Sequence, residues 1–554
     1  MPWAAFVLVL LCITAVLVVA AGIEQTTVYA CGRVYTMARG KAQADAVAVR
    51  GGRVVAVGRL RDLRGLGTVD RSLAGKFVLP GLVDPRCSLL LSSAVFGLDS
   101  IIAPEPWRLP HASFAPARSS EQYAAALKEA AEAARGSLLL SFGYFPPMHG
   151  PLSRKALDAI SSAPVAVWHR SGMCFYLNTA AIRVVLGEDD LVLRGANVRK
   201  GVFKGRALQT VCRRVFEAVG MKRRLAEGAR RLAAYLLGQG VTCVGDTACS
   251  VAEVEWIRRH FGQAPLTVSL TLRPHIFIWD LGFDEGTKAM LRVRRKSAQG
   301  GTVRWAEGEQ VVMQLDGPVT AQANQKKFNH ISGEWVFPVA ACDALCSWFA
   351  RRKTGITYEV HGDFAMEIAL GQLYKKKYNQ IKLVAPRLLF GQCDDPQDAA
   401  TKLRALRGVG VSTTPHYAWA GYGTAGEQFA PMATLAKEHI ACGMHSSMPF
   451  GAPCDPLGQA AVASSLRPDD IQRVNRMQAL YAATAAAAFA MRAPDEGRLA
   501  PKKWADMCVL EEDPALADQP AVWGVMHRGK LRQSPWRRGR LTPLDPCLLY
   551  TSPS

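Results

Sequence analysis

The sequence predicts an α/β fold, a (β/α)8 barrel of the TIM type with short strands on both flanks. From Phe77 onward, apolar runs rich in β-branched residues alternate with helical patterns, as they do in parallel βα units. The alternation continues for about 400 residues, which suits eight such units with insertions. With 554 residues, the chain is long enough for a barrel and a smaller domain.

The first 26 residues are predicted to be a membrane signal anchor or a signal peptide. Residues 4–23 carry no charge, and this run is long enough to span a bilayer core of about 30 Å. No Lys or Arg precedes it, which favours an anchor, whereas Ala20, Ala21 and Gly22 permit cleavage. Both alternatives predict a membrane-anchored or secretory protein; a buried N-terminal helix is the third alternative.

Residues 27–78 are predicted to form a small antiparallel β-region. Short β-like runs at 27–29, 33–37, 46–49 and 54–57 are separated by Gly32 and by the pair Gly51-Gly52, which are typical of turns. Residues 491–534 return to short strands, at 505–510 and 522–526. Residues 535–554 lack periodicity and end like translated adapter sequence, so we expect a disordered or artefactual tail there.

Residues 79–490 are predicted to form the barrel. Each predicted helix in this region is followed by a predicted strand, which is the order of a βα repeat. The clearest helix and strand pairs are 120–134 with 137–141, 154–160 with 164–168, 225–237 with 242–244, and 399–407 with 410–413.

Composition excludes several classes of protein. The chain is 49% hydrophobic and 20% charged, which is typical of globular proteins. The formal net charge is +21, but the basic runs are not interleaved with aromatic residues, so we expect solvated faces attracted to anionic membranes and no nucleic-acid partner. The 14 cysteines show no zinc-ribbon or redox spacing.

The run FVLPGLVDPRCS at residues 77–88 resembles the first barrel strand of metal-dependent amidohydrolases. Further segments resemble the same superfamily in the same order, at 32–37, 46–58, 163–182, 240–246 and 497–510. The branch that the chain resembles is amidohydrolase family 3, which includes N-substituted formamide deformylase-like proteins. This resemblance implies a (β/α)8 barrel and a small β-sandwich domain, which 27–78 and 491–534 build together.

The resemblance also implies metal-assisted hydrolysis of linear or cyclic amide C–N bonds, in which one or two divalent ions activate a water. At each family position for a ligand or catalytic group, this chain has a different residue. The positions are Arg86 and Ser88 for the two histidines of the first strand, Val312 for a lysine, Glu359 and Phe390 for later histidines, Met173 for a substrate-contacting histidine, and His445 for the catalytic aspartate.

Two main hypotheses follow. In the first, the chain is a pseudoenzyme without a cofactor, and Arg86, Ser88, Met173, Val312 and Phe390 line a pocket for a small-molecule ligand. In the second, it is an active hydrolase with a rebuilt site.

In the rebuilt site, Glu359 and His361 would hold zinc or another divalent cation and His445 would serve as ligand or base. His416 and Asp246 are also placed near expected strand ends. Metal-free chemistry and a mispredicted reading frame are the remaining alternatives.

Arg86 has two interpretations of its own. Since a protein guanidinium does not lose its proton, it cannot bind a cation. It is predicted either to form a structural salt bridge with Glu359 or Asp316 across the former metal site, or to recognise an anionic ligand.

Overall fold

The structure is a computed structural model. It describes residues 24–38, 44–187, 196–248, 250–274, 282–296, 301–306, 310–316, 339–352, 354–374, 387–390, 396–405, 409–416, 430–466 and 471–534. The predicted N-terminal anchor or signal (1–26), apart from its last three residues, and the tail predicted for 535–554 lie outside these ranges. Within them, no helix is long and apolar enough to cross a membrane.

The strands are, in chain order, β1 Thr27–Val34, β2 Ala44–Arg50, β3 Arg53–Gly58, β4 Thr68–Asp70, β5 Phe77–Pro80, β6 Leu82–Asp84, β7 Ser100–Ile101, β8 Trp107–Arg108, β9 Ser113–Phe114, β10 Leu139–Tyr144, β11 Val165–His169, β12 Cys174–Leu177, β13 Ala196–Asn197, β14 Val202–Lys204, β15 Val241–Ala248, β16 Thr267–Leu272, β17 Val303–Trp305, β18 Gln310–Gln314, β19 Gly355–Glu359, β20 Arg387–Phe390, β21 Gly410–Thr413, β22 Cys442–Met444, β23 Met507–Leu510, β24 Val522–His527 and β25 Lys530–Gln533.

The α-helices span Leu60–Leu63, Leu89–Phe96, Ser120–Ala133, Pro146–His149, Arg154–Ile160, Thr179–Leu186, Arg206–Ala218, Met221–Gly238, Val251–Phe261, Phe283–Lys296, Val339–Arg351, Asp363–Tyr374, Pro396–Ala405, Met432–Lys437, Pro456–Ala461, Arg476–Ala482 and Ala485–Ala490. Several begin at side-chain caps. Ser153, for example, accepts a hydrogen bond from the amide of Ala156, which satisfies a backbone donor that the first helical turn leaves unpaired.

A parallel-strand half-barrel sheet carries the candidate site. Strands β6, β15, β16, β18, β19, β20, β21 and β22 lie side by side in that order, and each is parallel to the next. Strand β17 also pairs with β16. Because the strands are parallel, their carboxyl ends meet at one edge, where α/β folds of this kind place their sites. The predicted α/β class with parallel βα units is confirmed.

The two outer strands of this sheet, β6 and β22, are joined just past their ends. Cys87 pairs with Met448 in an isolated parallel bridge. The carboxylate of Asp84 accepts a hydrogen bond from the Ser446 amide at 3.2 Å. Burial raises the pKa of Asp84, while its hydrogen bonds from Ser446 and Arg86 oppose that rise.

A second sheet combines strands from both flanks of the chain, in the order β25-β24-β23-β5-β1-β2-β3, with β4 paired to β1. The junction between the flanks is the antiparallel pair β23–β5, in which Met507 lies opposite Pro80. The flanks therefore share one sheet, while the sandwich arrangement stays a prediction.

A third, six-stranded sheet lies between β6 and β15 in the chain, in the order β13-β14-β12-β11-β10-β7. It contains two of the strands expected in the barrel, those predicted at 137–141 and 164–168. They do pair in parallel, as β10 with β11, but their sheet is separate from the half barrel. These two units therefore belong to an insertion between β6 and β15. The prediction placed them in the barrel because sequence periodicity identifies a βα unit but does not say which sheet its strand joins.

Side-chain alternation along β18 and β19 distinguishes the two faces of the half barrel. Met313 and Tyr358 both contact the thiol of Cys346 on the neighbouring helix Val339–Arg351. Since successive side chains point to opposite faces, Gln314 and Glu359 lie on the other face. They sit directly opposite each other in the register.

Candidate functional site

A buried carboxylate between two arginines forms the centre of the candidate site. Glu359 ends β19, Arg86 lies two residues after β6, and Arg273 follows β16 directly. The distance from Glu359 Oε1 to Arg86 Nη2 is 2.8 Å, and that from Glu359 Oε2 to Arg273 Nη2 is 2.7 Å. The three side chains are 7%, 12% and 13% exposed, respectively. We call these three residues the Arg–Glu–Arg bridge.

The two guanidiniums keep Glu359 ionised. Burial raises the pKa of this carboxyl, but the charges of Arg273 and Arg86 lower it more, and the net result is a pKa well below the ordinary range. Charge-assisted hydrogen bonds of this kind are shorter and stronger than neutral ones. Both carboxylate oxygens are therefore engaged with cations.

Gln314 and Asp316 extend the network along β18. Arg273 Nη1 donates to Gln314 Oε1, and Gln314 Nε2 donates to the backbone oxygen of Asp316 at 3.1 Å. The Asp316 carboxylate accepts hydrogen bonds from the amides of His361 and Gly362, at 3.0 and 2.8 Å. Of the two partners expected for Arg86, the structure shows the ion pair with Glu359.

Asp246, near the end of β15, accepts hydrogen bonds from two backbone amides. The Leu89 amide donates to Oδ2 at 3.0 Å and the Thr247 amide to Oδ1 at 2.6 Å. Burial raises the pKa of Asp246 to about 6, although the Leu89 amide and the charges of Arg86 and Arg273 oppose the rise. Asp246 thus fixes the start of the helix Leu89–Phe96 beside the bridge.

Among the described residues, buried histidines follow three strands of the half barrel: His361 after β19, His416 after β21 and His445 after β22. His445 follows β22, and its Nδ1 lies 3.0 Å from Ser412 Oγ. Burial and the charge of Arg86 lower the pKa of His445 to about 3. Burial and Arg170 lower the pKa of His416 to about 3. His361 Nδ1 lies 3.6 Å from Asp316 Oδ1, too far for a hydrogen bond, and it has no hydrogen-bond partner among the described residues.

The other predicted pocket positions are more scattered. Val312 is 3% exposed and lies two residues before Gln314, so it shares the inner face. Ser88 donates its amide to the Met448 carbonyl at 2.9 Å. Phe390 pairs with Thr413 in the backbone register of β20 and β21.

Met173 is 48% exposed and lies between β11 and β12 of the inserted sheet. Among the described contacts, none joins Met173 to the bridge. The structure thus brings Arg86, Val312, Glu359, His361 and His445 to one edge of the half barrel, and places Met173 on the insertion.

Comparison with known proteins decides the family. The profile of the amidohydrolase family matches residues 111–532, well over half of the chain. The chain belongs to the amidohydrolase family.

Solved structures of metal-dependent hydrolases have a similar fold. An uncharacterized metal-dependent hydrolase from Pyrococcus horikoshii has a TM-score of 0.66 at 18% identity, covering 89% of this chain and 99% of its own. A second, from Pyrococcus furiosus, has a TM-score of 0.63 at 19% identity, covering 88% and 100%. At such identities these likenesses show the fold alone.

Among curated proteins, the chain is similar to Protein LONG AFTER FAR-RED 3 of Arabidopsis thaliana. The two are 27% identical over 247 residues, which is 41% of this chain. The match spans only 39% of the length of that relative.

The residues at this amidohydrolase site do not fit a divalent cation. Arg86 carries a permanent positive charge at one ligand position, and Val312 offers no donor atom at another. Glu359 has a suitable carboxylate, but both of its oxygens form ion pairs with arginine side chains. In the described part of the chain, no group of three or more His, Cys, Asp or Glu side chains is arranged to hold a metal ion.

Sequence reasoning missed Arg273 and Gln314. Arg273 directly follows the apolar run that forms β16, and a charged residue at such a strand end is a recognisable feature. Gln314 lies two residues after Val312, so period-2 alternation places both side chains on one face. Neither feature identifies the partner across the sheet, which depends on the register.

Proposed function

We propose that this protein is an amidohydrolase-fold protein in which an ion-paired Arg–Glu–Arg bridge replaces the metal centre of the family, so that it binds a small molecule without hydrolysing a C–N bond. The observation that supports the proposal is that both oxygens of Glu359 pair with guanidiniums. Two other family ligand positions at this edge have Arg86 and Val312, neither of which can bind a cation.

Charge balance favours a structural bridge over recognition of an anionic ligand. Arg86 and Arg273 supply two positive charges, and Glu359 neutralises one of them. Asp246 and Asp316 lie close by, at the carboxyl ends of β15 and β18, and both are almost fully buried. The positive charge of the two arginines is therefore balanced by nearby carboxylates, and an additional anion would gain little from binding here.

The finer family assignment belongs to the same proposal. The motifs are most similar to amidohydrolase family 3 and N-substituted formamide deformylase-like proteins. The contacts of β6 with the segment after β22, through Asp84–Ser446 and Cys87–Met448, support a (β/α)8 barrel that closes at this seam. We also propose that residues 1–26 direct the protein to a membrane or the secretory route.

The test compares hydrolysis by the purified chain with that of a variant with restored histidines. N-substituted formamides and cyclic amides are incubated with the parent and with Arg86→His/Ser88→His, with and without added zinc. The proposal expects no turnover by the parent under either condition. Zinc-dependent turnover by the parent would overturn it, whatever the variant does.

A rebuilt metal site is the second candidate function, because His361 Nδ1 is buried without a hydrogen-bond partner among the described residues. This nitrogen, Glu359 and His445 would hold zinc or another divalent cation; an adenosine deaminase from Xanthomonas campestris of similar fold has zinc bound (TM-score 0.50, 14% identity, 92% of each chain). Before it could bind a metal ion, Glu359 would have to break its ion pairs with Arg86 and Arg273. An amidase activity that survives Glu359→Ala and His445→Ala would contradict this candidate.

A further inference from the structure

A second buried acidic cluster lies at the joint between the flanking sheet and the half barrel, away from the bridge. Arg304 of β17 pairs with Glu496 at 2.9 Å, and the amide of Gly81 donates to the backbone oxygen of Asp506 at 2.8 Å. Glu496 and Asp506 precede β23. The cluster therefore connects a half-barrel strand to the last part of the flanking sheet.

Glu496 and Asp506 each have one oxygen with a donor and one without. Glu496 Oε1 accepts from Arg304, and Asp506 Oδ1 accepts from the Arg528 amide at 2.5 Å. Glu496 Oε2 and Asp506 Oδ2 are buried, and among the described residues neither has a hydrogen-bond donor. Both residues are 3% exposed, so bulk water does not readily supply the missing hydrogen bonds to these two oxygens.

The Arg528 side chain does not supply the missing donor. Its guanidinium lies over the Trp504 ring, 4.3 Å from the centroid, and its Nε has no hydrogen-bond partner among the described residues. The carboxyl of Asp506 lies within hydrogen-bonding reach of the carboxyl of Glu496. If both were ionised, two buried acceptor oxygens would be left without a donor, which is unfavourable for like charges in a buried site.

We infer that Glu496 and Asp506 share one proton, so that the pair forms a hydrogen-bonded carboxyl–carboxylate unit with a single negative charge facing Arg304. The proton bridges Glu496 Oε2 and Asp506 Oδ2 and comes from solvent during folding. Burial, the charge of Glu496 and its hydrogen bond raise the pKa of Asp506 well above the ordinary range, which agrees with a retained proton.

The other titratable groups that face the pair stay unchanged around neutral pH. Burial and the nearby Glu496 raise the pKa of Cys243 on β15 well above its ordinary range, so it remains a thiol. Burial, Arg528, Arg532 and Arg304 lower the pKa of His527 on β24 to about 3, so it remains neutral. The three arginines keep their charge.

The shared proton makes this joint sensitive to pH. The folded chain retains a proton that the unfolded chain releases above the ordinary Asp pKa of about 3.9. Stability from this contact is therefore greatest in acid and falls as the pH rises toward the raised folded pKa. The joint between the flanking sheet and the half barrel is expected to loosen under alkaline conditions.

Asp506→Asn in the full chain tests this inference, because an amide N–H replaces the shared proton while its oxygen still accepts from Arg528. Thermal unfolding is followed from about pH 5 to about pH 9. Only the parent has to retain a proton in the folded state, and this retention becomes less favourable as the pH rises. The Tm of the variant minus the Tm of the parent should therefore increase with pH. Asp495→Asn is the matched control, as Asp495 lies on the same segment but is 34% exposed; its effect should not widen.

Infrared spectroscopy supplies the second measurement. The parent should show a protonated-carboxyl band at neutral pH, and Asp506→Asn should remove the part of that band that comes from this pair. A Tm difference that is the same at all pH values would overturn the inference. So would the absence of the band from the parent, a result that decides the matter even if the variant does not fold.

Discussion

Arg86 and Glu359 lie 273 positions apart in the chain, yet their side chains form a buried ion pair at 2.8 Å. The pair links the segment after β6 to the end of β19, across the carboxyl edge of the half barrel. Arg273 holds the second oxygen of the same carboxylate from the end of β16. One acidic side chain thus connects three strand ends.

Removing Arg86 should destabilise the fold more than removing both partners. Arg86→Met leaves Glu359 buried beside one guanidinium instead of two, and we expect a loss of about 3 kcal/mol. Arg86→Met/Glu359→Gln removes the carboxylate charge as well and should recover part of this loss. Urea unfolding of the single and double variants measures the coupling; strictly additive effects would contradict a direct interaction.

Glu359 should make the fold sensitive to acid. Its folded pKa is depressed, so its contribution is fully present above the ordinary Glu pKa of about 4.3 and is lost as the pH falls toward the folded value. The difference in unfolding free energy between the parent and Glu359→Gln should therefore shrink below about pH 4. Glu217→Gln, in a largely exposed pair with Arg213, is the control and should show little change.

The sequence predicted the local elements better than their assembly. The helix Arg154–Ile160 and the strand Gly410–Thr413 were predicted with their observed bounds, because both depend on local sequence patterns. Glu359 was one of the two partners that the sequence predicted for Arg86. Arg273 was not anticipated, since its role depends on the alignment of β16 with β18 and β19, which a single chain's periodicity does not encode.

Restoring the family lysine at Val312 should harm the fold. Val312 is 3% exposed and shares the inner face of β18 with Gln314. Val312→Lys would place a third cation near Arg273, and we expect a loss of about 2 kcal/mol or more. Val312→Ile, which keeps the side chain apolar, should cost less. Equal stability of the two variants in urea would show that this position faces solvent.

The contact of Ser446 with Asp84 should stabilise the seam between β6 and β22. Ser446→Ala removes the hydroxyl that donates to Asp84 Oδ2, leaving a buried carboxylate with one donor fewer, and we expect a loss of about 1–3 kcal/mol. Ser464→Ala is the control, because its described hydrogen bond is a local one, to the carbonyl of Ala460 four residues earlier. Indistinguishable Tm values for the two variants would contradict a role for the seam.

His445 should also contribute to acid sensitivity. Its folded pKa of about 3 lies below the ordinary His value of about 6.5. The folded state therefore resists protonation, and stability should fall as the pH drops below about 6.5. His445→Gln should reduce this slope in unfolding experiments. A slope that stays unchanged would contradict this, because it would show that folding does not alter the protonation of His445.

Elemental analysis of the purified full-length protein tests the central claim most directly. If the Arg–Glu–Arg bridge replaces the metal centre, zinc and other divalent metals should be far below one ion per chain, and added zinc should not raise the Tm. One tightly bound ion per chain, retained through dialysis and lost in Glu359→Gln, would contradict the account.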